Sequence, residues 1–458
     1  MDLVLCGQIV TGGDLIENGW VAVKNGRIAE IGSGKPPGAT EAHDAGDALV
    51  LPGIVDGQTH SCSYNGLKGL GDTTRSAIAG GVTTLVDMPY DDPLPLDRAS
   101  RLNAKIDAIA NYAHADVALY GTATSDTGTT NLEALIDGGV VGFKISSFES
   151  SPTRFPRISS DLRLDLLEVL AGGDLPLCLH NEDQEIVLAR IERARTRGLD
   201  GIVAHSESRP PAAELAATGH FLALGLATGA HVHIVHLSTG AGFDLVESFS
   251  GLGARATGEL CVHYLWFDPE NDGEALGARM KVNPPIRPGQ IGPLWEAVKS
   301  GKVGFISSDH SSWPIDNKLT GSIFDAGAGI PGVETLLPAF FTSAERRGLD
   351  AARLAAEQLC ARPACFFGLD DRKGRIAVGL DADLIVLEKG QFAWDETLAH
   401  DGLNWSPFHG REFSVRVARS YLRGELGWDG KEICSQPGVG RYVPRRTTGW
   451  FKRGQVEA

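Results

Sequence analysis

At 458 residues the chain exceeds one ordinary small domain and accommodates an α/β barrel of about 250 to 350 residues with a smaller companion, so core size sets no limit. Apolar residues at 42% against 22% charged exclude a disordered chain, and a net charge of -16 without a Lys/Arg-rich stripe excludes nucleic acid as partner. The N-terminus MDLVLCGQIVTGG lacks a basic segment followed by an apolar run, and no stretch reaches 18 apolar residues, so neither a secretory signal nor a membrane span is expected. Seven scattered cysteines without a CxxC pair fit reduced thiols, hence a cytoplasmic protein.

In chain order, DLVLCGQIVT, GWVAVKNGRIAEIG and DALVLPG read as short strands, with Asn25-Gly26 as a hairpin turn. The middle alternates apolar runs with longer amphipathic stretches: VTTLVDMP, ADVALYGTA, GVVGFKISS, LPLCLHNE, HVHIVHLST and VGFISSDHS, each followed by enough residues for a helix. That alternation predicts parallel strands joined by helical crossovers. Strand-like runs return in GRIAVGLDADLIVLEKG and SVRVARSYLRGEL, which suggests one small β domain assembled from both ends of the chain.

In a parallel barrel the chemistry stands where strands end, so polar residues closing apolar runs are the candidates. They are Gln58 and His60, then Lys144, His180, the trio His231, His233 and His236, and finally Asp309 with His310. Three imidazoles and a carboxylate on separate strand ends can converge on a divalent metal. Taken singly, a strand-end histidine is more often structural. Lys144 lies in a run that otherwise reads as buried, where an amine either loses its proton or finds a strong partner. A neutral amine can take up CO2 as a carbamate; pairing with a carboxylate is the other reading. Adjacent side chains rarely aim at one point, so His310 reads as packing, and the odd offset of His236 from His231 and His233 keeps the three from converging together.

The ordered set LPGIVDGQTH, AGGVTTLVDMP, VGFKISS, LHNED, IVHLST, MKVNPPIRP, SSDHS, GIPGVETLLP, RPACFFGL, GRIAVGLDADLIVLE and GVGRYVPR resembles the cyclic amidohydrolases: hydantoinases, dihydropyrimidinases, allantoinases and dihydroorotases. The resemblance spans nearly the whole chain. It implies an α/β fold, a distorted TIM (β/α)8 barrel at 52–372 plus a small β-sandwich built from 1–51 and from 373–458 with its C-terminal tail. It implies a metal centre in which His60 binds the more buried ion and His180 and His236 the more exposed one. Lys144, as its N6-carboxylated form, would bridge them, and Asp309 would be both ligand and proton shuttle. The implied reaction opens a cyclic amide or ureide C–N bond by hydroxide generated on the metal, in a homo-oligomer, dimer or tetramer. Zinc is the expected ion, with manganese as another candidate and one or two ions per chain.

Departures from the family pattern narrow this expectation. The first-strand signature Asp-x-His-x-His reads Asp56-Gly57-Gln58-Thr59-His60, leaving Gln58 as a weak ligand or as a residue that orients the ligands. Cys62 replaces the arginine that holds dihydroorotate. Glu149 stands where dihydropyrimidinases and D-type hydantoinases carry tyrosine, and Ala328 where they carry asparagine, so the chain stands nearer L-type hydantoinases and allantoinases. Asn283 corresponds to a position whose backbone faces the substrate ring; a turn-forming asparagine beside two prolines is the plain alternative. A catalytically silent scaffold relative, or a hydrolase of another amide or imide, are the competing functions.

Overall fold

The computed structural model describes residues 1–446 and 450–453; the end of the expected C-terminal tail, 454–458, lies outside the described residues. Eight parallel staves form the barrel: Ile54–His60, Val82–Asp87, Asp116–Leu119, Phe143–Ser146, Leu177–His180, Val232–Ile234, the pair Ala256–Gly258 and Leu260–Cys261, and the pair Ile306–Ser307 and His310–Ser311. A bridge from Gly121 to Phe143 joins the third stave to the fourth. The circle closes where His310 and Ser311 pair with Thr59 and His60. The strands are short and their interiors wholly buried, as expected where both faces of a parallel sheet are covered.

Helices follow each stave and cover the barrel. Ser160–Leu170 shows why they form: Ser159 caps the first turn by accepting a hydrogen bond from the Leu162 N–H, and Arg163, Leu166, Leu167 and Leu170 repeat on one buried face. Each leucine of that stripe contributes about 2 kcal/mol on burial. Gln184–Thr196 begins four residues after a stave ends at His180, because Asp183 accepts from the Ile186 N–H and starts the helix there. That cap leaves Asn181 and Glu182 as a short connection at the barrel rim.

The companion is a seven-stranded sheet in the order Glu425–Trp428, Glu412–Leu422, Leu384–Ala393, Glu41–Pro52, Leu3–Val10, Leu15–Lys24, Arg27–Ser33. The two ends of the chain meet where Leu384–Leu387 pair antiparallel with Leu49–Pro52. Leu3–Val10 runs parallel to Glu41–Pro52. Asn25 and Gly26 both hold positive φ, 52° and 74°, the geometry a two-residue hairpin turn requires. One C-terminal expectation is corrected: of GRIAVGLDADLIVLEKG only the part from Leu384 is strand, because 374–383 turns at Gly374 and Gly379, both with positive φ.

A buried ionic cluster joins the sheet to the barrel. Lys373 Nζ lies 2.7 Å from Asp116, 2.6 Å from Asp383 and 3.1 Å from Asp381, and Arg423 Nη1 takes the other Asp116 oxygen at 2.5 Å. Removing the ammonium strands carboxylates in a dry interior. Lys373→Ala is therefore expected to lower stability by about 3 to 5 kcal/mol, read as a fall in the urea midpoint.

Candidate metal centre

Gln58, His60, Lys144, His180, His236 and Asp309 come from five staves or the turns that follow them and line one cavity of about 410 Å3 at the C-terminal rim of the barrel. The backbone reaches two of these positions by leaving the strand conformation. His236 lies two residues past the end of Val232–Ile234 with φ 42°, and Asp309 lies between Ile306–Ser307 and His310–Ser311 with φ 50°. Non-glycine residues in the left-handed region cost about 1 to 3 kcal/mol and concentrate at functional sites. The three histidines do part, as their spacing implies, but a left-handed turn and not strand alternation separates them. His231 and His233 face the barrel interior, each against Thr257, while the left-handed turn aims His236 at the cavity.

The imidazoles of His180 and His236 converge, with Nδ1 of the first 2.9 Å from Nε2 of the second. Behind them the carboxylate of Glu182 lies 2.9 Å from His180 Nε2 and is itself paired with Arg209 Nη1 at 2.5 Å. A carboxylate accepts a hydrogen bond, so His180 carries its proton on Nε2 and turns the Nδ1 lone pair toward His236. Burial lowers the pKa of both imidazoles, that of His236 well below its ordinary value, which keeps them neutral as ligands must be. Arg209, beside Phe148, holds Glu182 down to about 2 against the upward push of burial.

Lys144 is 1% exposed, and burial lowers its amine pKa, opposed by Asp309 and Glu259. Among the described residues its Nζ makes no hydrogen bond or ion pair; it lies 5.5 Å from the Phe155 ring centre and 5.7 Å from that of Tyr90. No carboxylate lies within ion-pair distance of this Nζ among the described residues, although Asp309 and Glu259 are near enough to act on its charge. Across the cavity Asp309 Oδ1 accepts from Gln58 Nε2 at 2.8 Å and meets His60 Nε2 at 3.3 Å. Burial raises the pKa of Asp309, but the bond to and charge of His60, aided by His263 and Lys144, outweigh it and leave the carboxylate below its ordinary range.

Two converging neutral imidazoles, a carboxylate and a buried amine without an ion-pair partner fit a divalent ion, because the donors are those zinc prefers. A second acidic grouping does not fit one. Cys62, Asp87 and Asp91 bring ligand atoms within 4.8 Å of one another, but the Lys105 ammonium already lies 2.7 Å from Asp87 and 2.6 Å from Asp91. Cys62 stands beside that internal salt bridge and does not line the cavity.

Of the remaining sequence candidates, Asn283 lines the cavity half-buried, its Oδ1 without a partner. Glu149 and Ala328 line it too. His310 does not; its ring accepts from the Gly332 N–H through Nδ1 and meets Ser312 through Nε2. Sequence reasoning missed Glu182, Arg209, Tyr90 and Phe155. Glu182 stood inside the motif LHNED, two residues past a ligand candidate, and that spacing was the available signal. Tyr90 and Phe155 stack with ring centres 3.5 Å apart and wall the cavity, a pairing of two separate loops that no local pattern marks.

A parallel eight-stave barrel with imidazoles, a lysine and a carboxylate gathered at its rim, joined to a sandwich from both termini, defines the class. The chain belongs to the amidohydrolase family, whose model matches residues 49–426. It is 36% identical over 452 residues to an allantoinase of Rubrobacter xylanophilus, covering 96% of this chain and 98% of that one. It is 28% identical to an L-hydantoinase of Paenarthrobacter aurescens over 97% of this chain and 98% of the other. Among solved structures, an L-hydantoinase (dihydropyrimidinase) from Arthrobacter aurescens superposes with a TM-score of 0.92 at 28% identity, over 97% of this chain and 100% of that one. No helix among the described residues is long and apolar enough to cross a membrane.

Proposed function

We propose that this chain is a metal-dependent hydrolase that opens a cyclic ureide at a ring C–N bond, with allantoin or a hydantoin as substrate. The catalytic barrel would occupy 52–372, and 1–51 with 373–458 would form the sandwich. The observation that carries the reading is the convergence of His60, Lys144, His180, His236 and Asp309 on one cavity of about 410 Å3, a size suited to a small cyclic substrate. The allantoinase and L-hydantoinase relatives support the substrate class.

His180 and His236 would hold the ion, with Asp309 and Lys144 completing an anionic set and zinc the metal that set suits. When bound, such an ion polarises a carbonyl and acidifies water. Lys144 reaches its anionic form by chemistry its burial favours: the neutral amine nitrogen bonds to the carbon of CO2 and releases one proton, giving a carbamate. Asp309, deprotonated and fixed by Gln58 and His60, accepts the proton of the attacking water and returns it to the leaving ring nitrogen. Glu182 keeps His180 in the required tautomer. Tyr90 and Phe155 present an apolar wall that excludes bulk water, and Asn283 offers an unsatisfied acceptor to a ring N–H.

The test is a substrate panel given to the metal-loaded protein: allantoin, 5-substituted hydantoins, dihydropyrimidines, cyclic imides and linear amides, with products identified by mass. Ring opening of allantoin or a hydantoin to the ureido or N-carbamoyl acid is expected. A folded, metal-loaded protein that opens none of the cyclic substrates would be a scaffold, and turnover confined to linear amides or imides would move the function elsewhere.

A further inference from the structure

Resting on that hydrolase reading, the geometry points to a single metal ion per chain, seated between His180 and His236, with Gln58 serving as a hydrogen-bond clamp on Asp309 rather than as a ligand of a second ion. The two halves of the centre are built differently. On one side two imidazole nitrogens face each other at 2.9 Å, and Glu182 fixes the tautomer of the first. On the other side His60 has no imidazole companion on its stave; position 58 carries an amide.

That amide is already engaged. Gln58 Nε2 donates to Asp309 Oδ1 at 2.8 Å, the oxygen His60 Nε2 approaches at 3.3 Å. The orientation follows from charge: the reverse flip would set the amide oxygen against a carboxylate oxygen, two acceptors in contact. With Nε2 fixed, Oε1 is the one Gln58 atom able to ligate, and it is buried from solvent with no partner. An amide oxygen is also a poorer donor than imidazole to zinc-like ions. Gln58 and His60 thus both meet Asp309 through nitrogen, and the amide positions the carboxylate that handles the proton. The carboxylate's charge is met by N–H donors where a second cation would otherwise be needed.

Elemental analysis of the protein loaded with excess zinc and then desalted reads the count directly. The parent chain is expected to retain one ion, Gln58→Ala to retain one as well, and Gln58→His, which restores a second imidazole beside His60, to rise to two. Two tightly held ions in the parent, loss of the ion in Gln58→Ala, or a count of one in Gln58→His would each overturn the assignment. Two ions together with ring opening would reject this inference while leaving the hydrolase reading intact; a chain that binds no zinc and opens no ring would reject both. Circular dichroism on each variant separates a lost ligand from a lost fold.

Discussion

Asp309→Asn is expected to lower turnover by on the order of 10³-fold, within the span typical of removing a general acid–base group. The amide matches the carboxylate in shape, keeps an oxygen facing Gln58 Nε2, and leaves the left-handed backbone at 309 undisturbed. On the proposed mechanism it removes the group that takes a proton from water and hands it to the ring nitrogen. The loss should fall on kcat, with little change in KM or in melting temperature and with most of the metal retained by the remaining ligands. An Asp309→Asn protein with parental turnover would refute the role.

Lys144→Ala is expected to remove bound metal and activity together. The side chain is buried beside the stacked Tyr90 and Phe155 rings with no ion-pair partner among the described residues, so on the proposed reading its truncation would cost the site an anionic ligand without breaking a salt bridge elsewhere. Short carboxylic acids such as acetate or propionate fit the space left and should restore part of both metal and turnover, because a carboxylate mimics a carbamate. A fully metallated and active Lys144→Ala protein would show that the lysine is structural.

The barrel and the strand-end residues were legible in the sequence for a common reason. Buried parallel strands need continuous apolar runs, so a His, Lys or Asp that closes such a run stands out, as His180 does in LPLCLHNE and Lys144 in GVVGFKISS. The hairpin at Asn25-Gly26 was legible because few residue pairs tolerate two consecutive positive φ values. Periodicity failed at His236 and Asp309. Both leave the β conformation for a left-handed turn, and no alternation rule carries through such a turn. The partners of the candidate ligands were not legible either. Arg209 reaches Glu182 from the end of a helix 27 residues later, and Phe155 meets Tyr90 from another loop, contacts that only tertiary folding creates.

The departure at position 58 was visible as a residue but not as a function. The sequence showed an amide where related enzymes carry imidazole, and left two readings, weak ligand or orienting residue. The bond from Gln58 Nε2 to Asp309 favours the second. Cys62, which the sequence marked only by the arginine it replaces, lies away from the cavity beside Asp87 and Asp91.

The central claim, metal-dependent ring opening at this cavity, is tested most directly by titrating metal and turnover together. The purified protein is stripped with a chelator, then returned stepwise to zinc while hydrolysis of allantoin and a hydantoin is followed. Turnover should vanish on stripping and return in proportion to zinc bound, reaching its plateau at one equivalent per chain. Undiminished ring opening by the stripped protein, with its metal content verified as nil, would contradict the account.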